Sequence, residues 1–286
     1  MTALRGDEPG SGVVAIVAGS GQLPTLLARS LEQRGRAFRL LALRGFADRA
    51  LQARADAVVD LLDVRGATAQ LDRWQPSGVT LVGGVSRPGP SAVLNAFEAF
   101  RNRHELGRLL GQGDDQLLRA VLGLLEEHGH RVVGVHDLAP DLLAPAGIHS
   151  QRAPTAADRR AIEVGLRALA ALSPFDVGQA VVVSEERVLG VEGPEGTDRL
   201  LARVRGFRRG WSRVRVKAGG VLVKAAKASQ DLRIDLPAIG ARTMVEASRA
   251  GLDGVAIGAG ASLILDLPGT AAMADRLGLF LVGAEA

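Results

Sequence analysis

The first half of the chain alternates short apolar runs with segments of helical periodicity. The apolar runs predict strands at Val13–Val17, Phe38–Leu43, Ala57–Val59, Val79–Val82 and Val132–Val135. The helical periodicity predicts helices at Pro24–Arg34, Val64–Trp74 and Asp114–Glu127. Because strands that alternate with helices form parallel crossover units, we expect an α/β fold that begins with a Rossmann-like, doubly wound parallel sheet.

The second half has a different order of predicted helices and strands, which predicts a distinct C-terminal α/β domain. Its patterns predict a helix at Ala157–Leu172, a β-hairpin over Gln179–Val191 that turns at Glu185-Glu186, and a helix capped by Thr197 or Asp198. Between the halves, prolines and weak periodicity are typical of a linker. We therefore predict an N-terminal domain over 1–140, a linker over 141–155 and a C-terminal domain over 156–286.

Composition excludes several kinds of site. The chain has no cysteine, which excludes disulfides, Cys-ligated zinc, iron–sulfur clusters and a thiol nucleophile.

Residues 1–12 lack the apolar core of a signal peptide or anchor, so we expect a cytoplasmic protein. The net charge of +4 suits an anionic ligand or an anionic membrane surface. Scattered basic residues and an aromatic content of 3% argue against nucleic acid as a partner.

A glycine-rich turn, GSGQLP at 19–24, follows the first predicted strand. It is either a tight strand-to-helix turn or a place where backbone amides at a helix start meet a phosphate or a sugar. Pro24 stands where the dinucleotide-binding fingerprint has its third glycine, and Arg44 stands where that motif has an acidic residue. These departures disfavour a nicotinamide-dependent dehydrogenase.

Two further polar loops follow predicted strands or open predicted helices. In GGVSRP at 83–88, Ser86 and Arg87 either point into a binding crevice or belong to a solvated loop. In GDD at 113–115, Asp114 and Asp115 either cap a helix or hold a divalent cation through their carboxylate oxygens. The sequence alone leaves both choices open.

The densest charge beside apolar sequence lies in GGVLVKAAKASQDLRIDLPAIG, residues 219–240. Lys224 and Lys227 follow a predicted buried strand. Asp231, Arg233 and Asp235 alternate with apolar residues, which in an extended segment puts the three charges on one face. Cations and carboxylates that converge in this way suit a phosphate-ester site. An edge strand with a salt-bridged solvent face has the same pattern.

Nine motifs follow one another along the chain: GSGQLP, LRGFAD, GGVSRP, GDDQLLRAVL, DVGQAVVV, VEGPEGTDRLL, GVLVKAAK, DLRIDLPAIG and DRLGLFLVG. In this order they resemble the motifs of the UDP-2,3-diacylglucosamine pyrophosphatases of the LpxI type. The resemblance covers the chain from about Val13 to Gly283. This collinear set is far more specific than any one of its members.

The resemblance implies hydrolysis of the pyrophosphate bond of UDP-2,3-diacylglucosamine to UMP and lipid X (2,3-diacylglucosamine 1-phosphate), a step of lipid A biosynthesis. It implies a need for Mg²⁺, a catalytic C-terminal domain and a substrate held between the two domains. Asp235, in IDLPAIG, matches the family's essential aspartate. Ala238 and Gly84 depart from polar residues usual in the family, which puts two side-chain contacts in doubt.

The residue patterns and the resemblance together predict three sets of site residues. The catalytic residue is Asp235, and the metal ligands are Asp114, Asp115 and Asp235. The substrate-binding residues are Gly19, Ser20, Gly21, Leu23, Pro24, Ser86, Arg87, Gly196, Thr197, Lys224, Lys227, Gln230 and Arg233. We also expect a homodimer and a peripheral contact with the inner face of the inner membrane. The alternative is a non-catalytic relative that binds a nucleotide sugar or a lipid.

Overall fold

The computed structural model describes residues 12–61, 63–85, 114–175, 177–208, 218–227, 231–233 and 235–285, with the side chains of residues 114–120 left undescribed. The chain forms two compact units, Met1–Ala139 and Pro140–Ala286. Each unit combines helices with a β-sheet, which confirms the predicted α/β class.

The first unit contains a parallel sheet in the order β3-β2-β1-β4. Its strands are β1 (Val14–Ala18), β2 (Phe38–Leu43), β3 (Ala57–Val59) and β4 (Gly78–Val82). Its helices are α1 (Leu23–Gln33), α2 (Arg49–Arg54), α3 (Val64–Trp74), α4 (Asp114–Glu127) and α5 (Val135–Leu138). The strand order is the one that the first four strands take in doubly wound nucleotide-binding sheets. The central strand β1 is almost wholly buried, as its run of apolar residues predicts.

The predicted strand at Val132–Val135 is wrong. Among the described residues, Val132 forms a single parallel bridge to Val79, and α5 begins three residues later. Gly134 precedes that helix, and its backbone amide donates a hydrogen bond of 3.2 Å to the Asp137 carboxylate. This local capping bond favours a helical turn over a continued strand.

The second unit contains a mixed sheet in the order β5-β12-β10-β8-β6-β7 and a separate pair, β9 and β11. Its strands are β5 (Gly147–Ile148), β6 (Ala180–Ser184), β7 (Arg187–Val191), β8 (Val221–Lys224), β9 (Ala238–Ile239), β10 (Gly254–Gly258), β11 (Leu263–Ile264) and β12 (Phe280–Ala284). Its helices are α6 (Ala156–Leu172), α7 (Thr197–Gly206), α8 (Ala241–Arg249) and α9 (Leu267–Arg276). β10 runs parallel to β8 and β12, whereas β6 is antiparallel to both β7 and β8.

The strands β6, β8 and β10 in the middle of this sheet are buried. Their successive side chains point alternately to its two faces. On one face, Val181 and Val223 pack with Ile162 of α6. On the other face, Val182 and Leu222 pack with the buried side chains of α7, α8 and α9. The strands β6 and β8 are thereby fixed between two layers of helices.

The segment 141–155, predicted as a linker, belongs to the second unit. Ile148 of β5 pairs with Val282 of β12, and the Ala144 amide donates to the Ser262 carbonyl at 2.8 Å. The chain therefore enters the second unit near Pro140. The prolines of this segment accompany an edge strand, where a missing backbone donor is tolerated.

The hairpin prediction is confirmed, and the predicted extended face at 231–235 is not. Glu185 and Glu186 turn between β6 and β7 with φ values of 48° and 63°. Asp231, however, opens a turn: its side chain accepts the Arg233 amide at 3.0 Å, and its carbonyl accepts the Asp235 amide at 3.3 Å. Aspartate side chains favour such turns by bonding the backbone two residues on.

Within the part of the chain that the structure describes, no helix is both long enough and apolar enough to span a membrane.

Two glycines inside helices offer a matched test of the α6–β8 packing. A methyl group on Gly165 of α6 would lie 2.6 Å from a Val223 methyl carbon, so we expect Gly165→Ala to lower the free energy of unfolding by about 1–3 kcal/mol. A methyl group on Gly123 of α4 would meet no described atom within 4 Å, so Gly123→Ala should raise stability by about 0.4–1 kcal/mol. Urea unfolding of both variants measures the difference. Equal effects would contradict close packing of α6 on β8.

Candidate active site

Polar side chains meet at one edge of the second sheet, and the strand directions explain why. Gln179 directly precedes β6, Glu192 directly follows β7, and Lys224 is the last residue of β8. Because β6 is antiparallel to both neighbours, its first residues lie beside the last residues of β7 and β8. Thr197 opens α7 five residues after Glu192. Four chemically distinct side chains are thus brought to one place by sheet topology.

The Glu192 carboxylate is buried at the centre of this group, with 9% of its side chain exposed. One oxygen, Oε1, accepts a hydrogen bond from the Thr197 hydroxyl at 2.5 Å. The other, Oε2, accepts one from the Gln179 backbone amide at 2.9 Å. The Lys224 ammonium lies 3.9 Å from Oε1 and is itself only 12% exposed. A buried carboxylate requires such partners, because leaving water costs it far more than a neutral group.

The Thr197 hydroxyl joins the two charges, since it donates to Glu192 and accepts from the Lys224 Nζ at 2.9 Å. The predicted capping role of Thr197 or Asp198 is wrong, because the N-cap of α7 is Gly196. Gly196 has φ 82°, a backbone conformation that glycine adopts readily. It turns the chain so that the Thr197 side chain faces the sheet edge.

Asp235 is tied to the same edge through Gln179. The Gln179 side-chain amide donates to the Asp235 Oδ2 at 2.5 Å, while the Asp235 side chain remains largely exposed. The Gln179 main chain is held on both sides, because its amide donates to Glu192 and its carbonyl accepts the Ala225 amide at 3.0 Å. The turn before Asp235 also contains Arg233, whose guanidinium forms an ion pair of 2.7 Å with Asp231.

The turn between β7 and α7 is held by Arg203. Its guanidinium donates to the Val191 carbonyl at 2.7 Å and to the Glu195 carboxylate at 2.8 Å. The pKa of the Glu195 carboxyl lies below its usual value, mainly because its own backbone amide donates to it, with Arg203 as a further cause. Glu195 therefore stays ionised, and the ion pair keeps the turn that delivers Thr197 in place.

In the first unit, the predicted residues of the glycine-rich turn lie together, but two of their amides are already engaged. The Gly19 amide donates to the Val82 carbonyl, and Ser20 and Gly84 exchange backbone hydrogen bonds of 2.8 and 2.9 Å. A Cβ on Gly83, which has φ 91°, would lie 2.5 Å from the Ser20 carbonyl oxygen. The close approach of the loops after β1 and β4 thus accounts for Gly19 and Gly83 without a ligand, since a Cβ on Gly19 would lie 2.6 Å from the Gly84 carbonyl oxygen.

The remaining predicted residues lie in several parts of the chain. Gly21, Leu23 and Pro24 lie at the start of α1, with Pro24 buried in its first turn. Lys227 lies in the segment that follows β8. Some predictions fall outside what the structure describes, namely the residues Ser86, Arg87 and Gln230 and the side chains of Asp114 and Asp115, which begin α4.

Sequence reasoning missed Gln179 and Glu192, although a pattern that points to them was present. Gln179 begins the predicted hairpin Gln179–Val191 and Glu192 directly follows it, and antiparallel pairing brings the two ends of a hairpin together. The Gly178 amide indeed donates to the Glu192 carbonyl at 3.0 Å. A carboxylate next to the open end of a hairpin, followed by a glycine-rich turn, was therefore recognisable as a candidate for burial.

Comparison with known proteins identifies the family. Residues 13–142 match the LpxI N-terminal domain, and residues 145–282 match the LpxI C-terminal domain. The chain belongs to the LpxI family. The polar group at the edge of the second sheet lies wholly in the LpxI C-terminal domain, and the glycine-rich turn lies in the N-terminal one.

One curated relative spans almost the same length. UDP-2,3-diacylglucosamine pyrophosphatase LpxI of Caulobacter vibrioides (strain ATCC 19089 / CIP 103742 / CB 15) is 35% identical over 272 residues, which cover 95% of this chain and 97% of that protein.

Two solved structures resemble parts of the chain too weakly to carry an argument. UDP-glucose-4-epimerase from Stenotrophomonas maltophila is 17% identical with a TM-score of 0.27, over 42% of this chain and 35% of that one. Glycinamide-RNase-transformylase T from Mycobacterium tuberculosis is 20% identical with a TM-score of 0.22, over 65% and 44%.

The crowding at Gly83 gives a test of the contact between the loops after β1 and β4. Gly83→Ala combines a positive φ with a clash against the Ser20 carbonyl, whereas Gly45→Ala has a φ of 80° and no described atom within 4 Å of the added carbon. We expect Gly45→Ala to lower the unfolding free energy by about 1 kcal/mol and Gly83→Ala by about 1–3 kcal/mol more. Chemical denaturation measures both. If the two variants were equally stable, the close approach at Ser20 would be refuted.

Proposed function

We propose that this LpxI protein hydrolyses the pyrophosphate bond of UDP-2,3-diacylglucosamine to UMP and 2,3-diacylglucosamine 1-phosphate, a step of lipid A biosynthesis. The observation that carries the proposal is the match of both LpxI domains over nearly the whole chain. The name of the 35%-identical relative, which spans both domains, gives the substrate. In this reaction one water adds across the P–O–P bridge, so that one phosphate gains the hydroxyl and the other gains the proton.

Lys224 and Arg233 suit the negative charge of such a substrate. A lysine ammonium has three N–H donors, so Lys224 can bind a phosphate oxygen while it donates to Thr197. Its low exposure strengthens the attraction, because charges interact more strongly away from bulk water. We propose that Lys224, with Arg233 in the neighbouring turn, binds the pyrophosphate.

Asp235 is the group that we propose to act on the reacting atoms. Its carboxylate is exposed at the sheet edge and is held by Gln179, so it can reach a substrate and keep a fixed orientation. A carboxylate in this position can orient a water molecule and accept its proton during attack on phosphorus. A structural role is the alternative, and the two roles differ in their effect on kcat.

The residues present also fit a magnesium ion. Mg²⁺ is usually held by one or two carboxylates together with substrate phosphates and water, and Asp235 supplies one exposed carboxylate beside the proposed phosphate site. Within the described ranges, no group of three or more His, Asp or Glu side chains forms a cage of the protein's own. An ion held by Asp235 and the substrate would neutralise charge on the pyrophosphate.

The contribution of Asp114 and Asp115 to such an ion stays a prediction, as do the homodimer, the membrane contact and the placement of substrate between the domains.

The first experiment measures release of UMP from UDP-2,3-diacylglucosamine by the purified protein and by Asp235→Asn. We expect Asp235→Asn to lower kcat by about 100-fold or more with little change in KM, because a group that moves protons acts mainly in the transition state. Glu186→Gln is the matched control, since Glu186 is an exposed carboxylate in the turn at the other end of the β6–β7 hairpin.

Three outcomes of that assay would count against parts of the proposal. A drop in kcat of less than about tenfold in Asp235→Asn, with an unchanged melting temperature, would make Asp235 a structural residue. An equal loss in Glu186→Gln would refute the localisation of the site. Tight binding of the substrate without release of UMP would favour the non-catalytic relative.

The second experiment removes the metal. We expect exhaustive treatment with EDTA to abolish UMP release and added Mg²⁺ to restore it. Ca²⁺ should restore it poorly, because it takes longer bonds and more ligands than Mg²⁺. Undiminished activity after complete chelation, checked by elemental analysis of the protein, would exclude a metal from the reaction.

A further inference from the structure

We propose that Glu192 is a positioning residue of this site, which orients Lys224 through the Thr197 hydroxyl and Asp235 through Gln179. The proposal rests on the hydrolase function proposed above. It assigns a role to a buried carboxylate for which the fold alone gives no reason. Glu192 does not act on the substrate in this scheme; it fixes the two groups that do.

A carboxylate is the only side chain of this length that can accept hydrogen bonds at both ends. Glu192 receives the Thr197 hydroxyl on Oε1 and the Gln179 backbone amide on Oε2. Glutamine has the same shape, but one end of its amide is a donor. Two connections start from Glu192: the first arm runs through Thr197 to Lys224, and the second runs through Gln179 to Asp235. In Glu192→Gln the amide donor would face either the Gln179 N–H, which would lose its acceptor, or the Thr197 hydroxyl, which would have to accept from both the glutamine and Lys224 and turn its own hydrogen elsewhere. At least one of the two arms would therefore be disturbed.

The first arm holds Lys224. The Thr197 hydroxyl donates its one hydrogen bond to Glu192. Its lone pairs therefore face the Lys224 ammonium, which donates to them at 2.9 Å. The direction of the hydroxyl is set by the carboxylate, and the direction of the ammonium is set by the hydroxyl. The Glu192 carboxylate, 3.9 Å from Nζ, also places an opposite charge beside this largely buried ammonium.

The second arm holds Asp235. The bond from the Gln179 amide to Glu192 and the bond from Ala225 to the Gln179 carbonyl fix the Gln179 main chain on both sides. Its side chain is then aimed at the Asp235 Oδ2, to which it donates at 2.5 Å. Asp235 lies outside the strands of the sheet, and the bond from Gln179 ties its carboxylate to the residue that directly precedes β6.

Measurements of kcat and KM for single variants distinguish the two arms. Thr197→Val removes the hydroxyl and should raise KM about tenfold with kcat little changed, whereas Thr197→Ser should restore the wild-type KM. Gln179→Ala removes the side-chain donor and should lower kcat about tenfold with KM unchanged. Glu192→Gln should show at least one of these two changes. Gln151→Ala, at an exposed glutamine of the same unit, is the control and should match the wild type.

Double variants test whether each residue acts through its partner. In a Lys224→Met background, Thr197→Val and Glu192→Gln should raise KM no further. In an Asp235→Asn background, Gln179→Ala should lower kcat no further. Full multiplicative losses in these double variants would overturn the positioning role, because they would mean that the residues act independently.

Unfolding free energies of Glu192→Gln, Lys224→Met and the double variant give a readout that needs no turnover. The double variant should lose less unfolding free energy than the two single variants lose together, because each single change leaves one buried partner uncompensated. Additive losses would overturn the contact. If Glu192→Gln fails to fold, Thr197→Val and Gln179→Ala keep the carboxylate and carry the test.

Absence of UMP release by the wild type overturns the proposed function, whereas wild-type turnover that these variants leave unchanged overturns the positioning role alone.

Discussion

The second unit depends on β6 lying antiparallel between β7 and β8. This placement brings the start of one strand beside the ends of two others, so the side chains next to those three ends converge without any long loop. The convergence puts a carboxylate, an ammonium, a hydroxyl and an amide within hydrogen-bonding reach. Helices cover both faces of β6 and β8, so the strands that carry the site have little freedom to move.

The fold was largely predictable because its determinants are local and periodic. Buried strands appear as apolar runs, and helices as repeats of 3.6 residues, so β2, β3 and α3 begin and end at the predicted residues. The failures occur where a single side chain overrides the pattern. Asp137 caps a helical turn where an apolar run predicted a strand, and Asp231 closes a turn where alternation predicted extended chain.

The site was predictable only in part, for a physical reason. Lys224 and Asp235 stand out as charges beside apolar sequence, and the resemblance to LpxI proteins singles out Asp235. Glu192 and Gln179 are marked only by their place at the open end of the predicted hairpin, and burial of a carboxylate is decided by what folds over it. The glycine-rich turn shows the reverse case. Its glycines looked like a ligand loop, yet contact with the loop after β4 already requires Gly19, where an added Cβ would lie 2.6 Å from the Gly84 carbonyl oxygen.

The hairpin turn has a consequence for the order of folding. Two-residue hairpin turns of this kind favour asparagine and glycine, because both central residues need a positive φ, yet this turn is built from Glu185 and Glu186. Such a turn gives β6 and β7 little help in pairing early. The other partner of β6 is β8, from which β7 and α7 separate it along the chain. Because loop closure costs entropy before a non-local contact forms, we expect the pairing of β6 with β8 to form more slowly than the contact of β6 with α6, its neighbour in the chain.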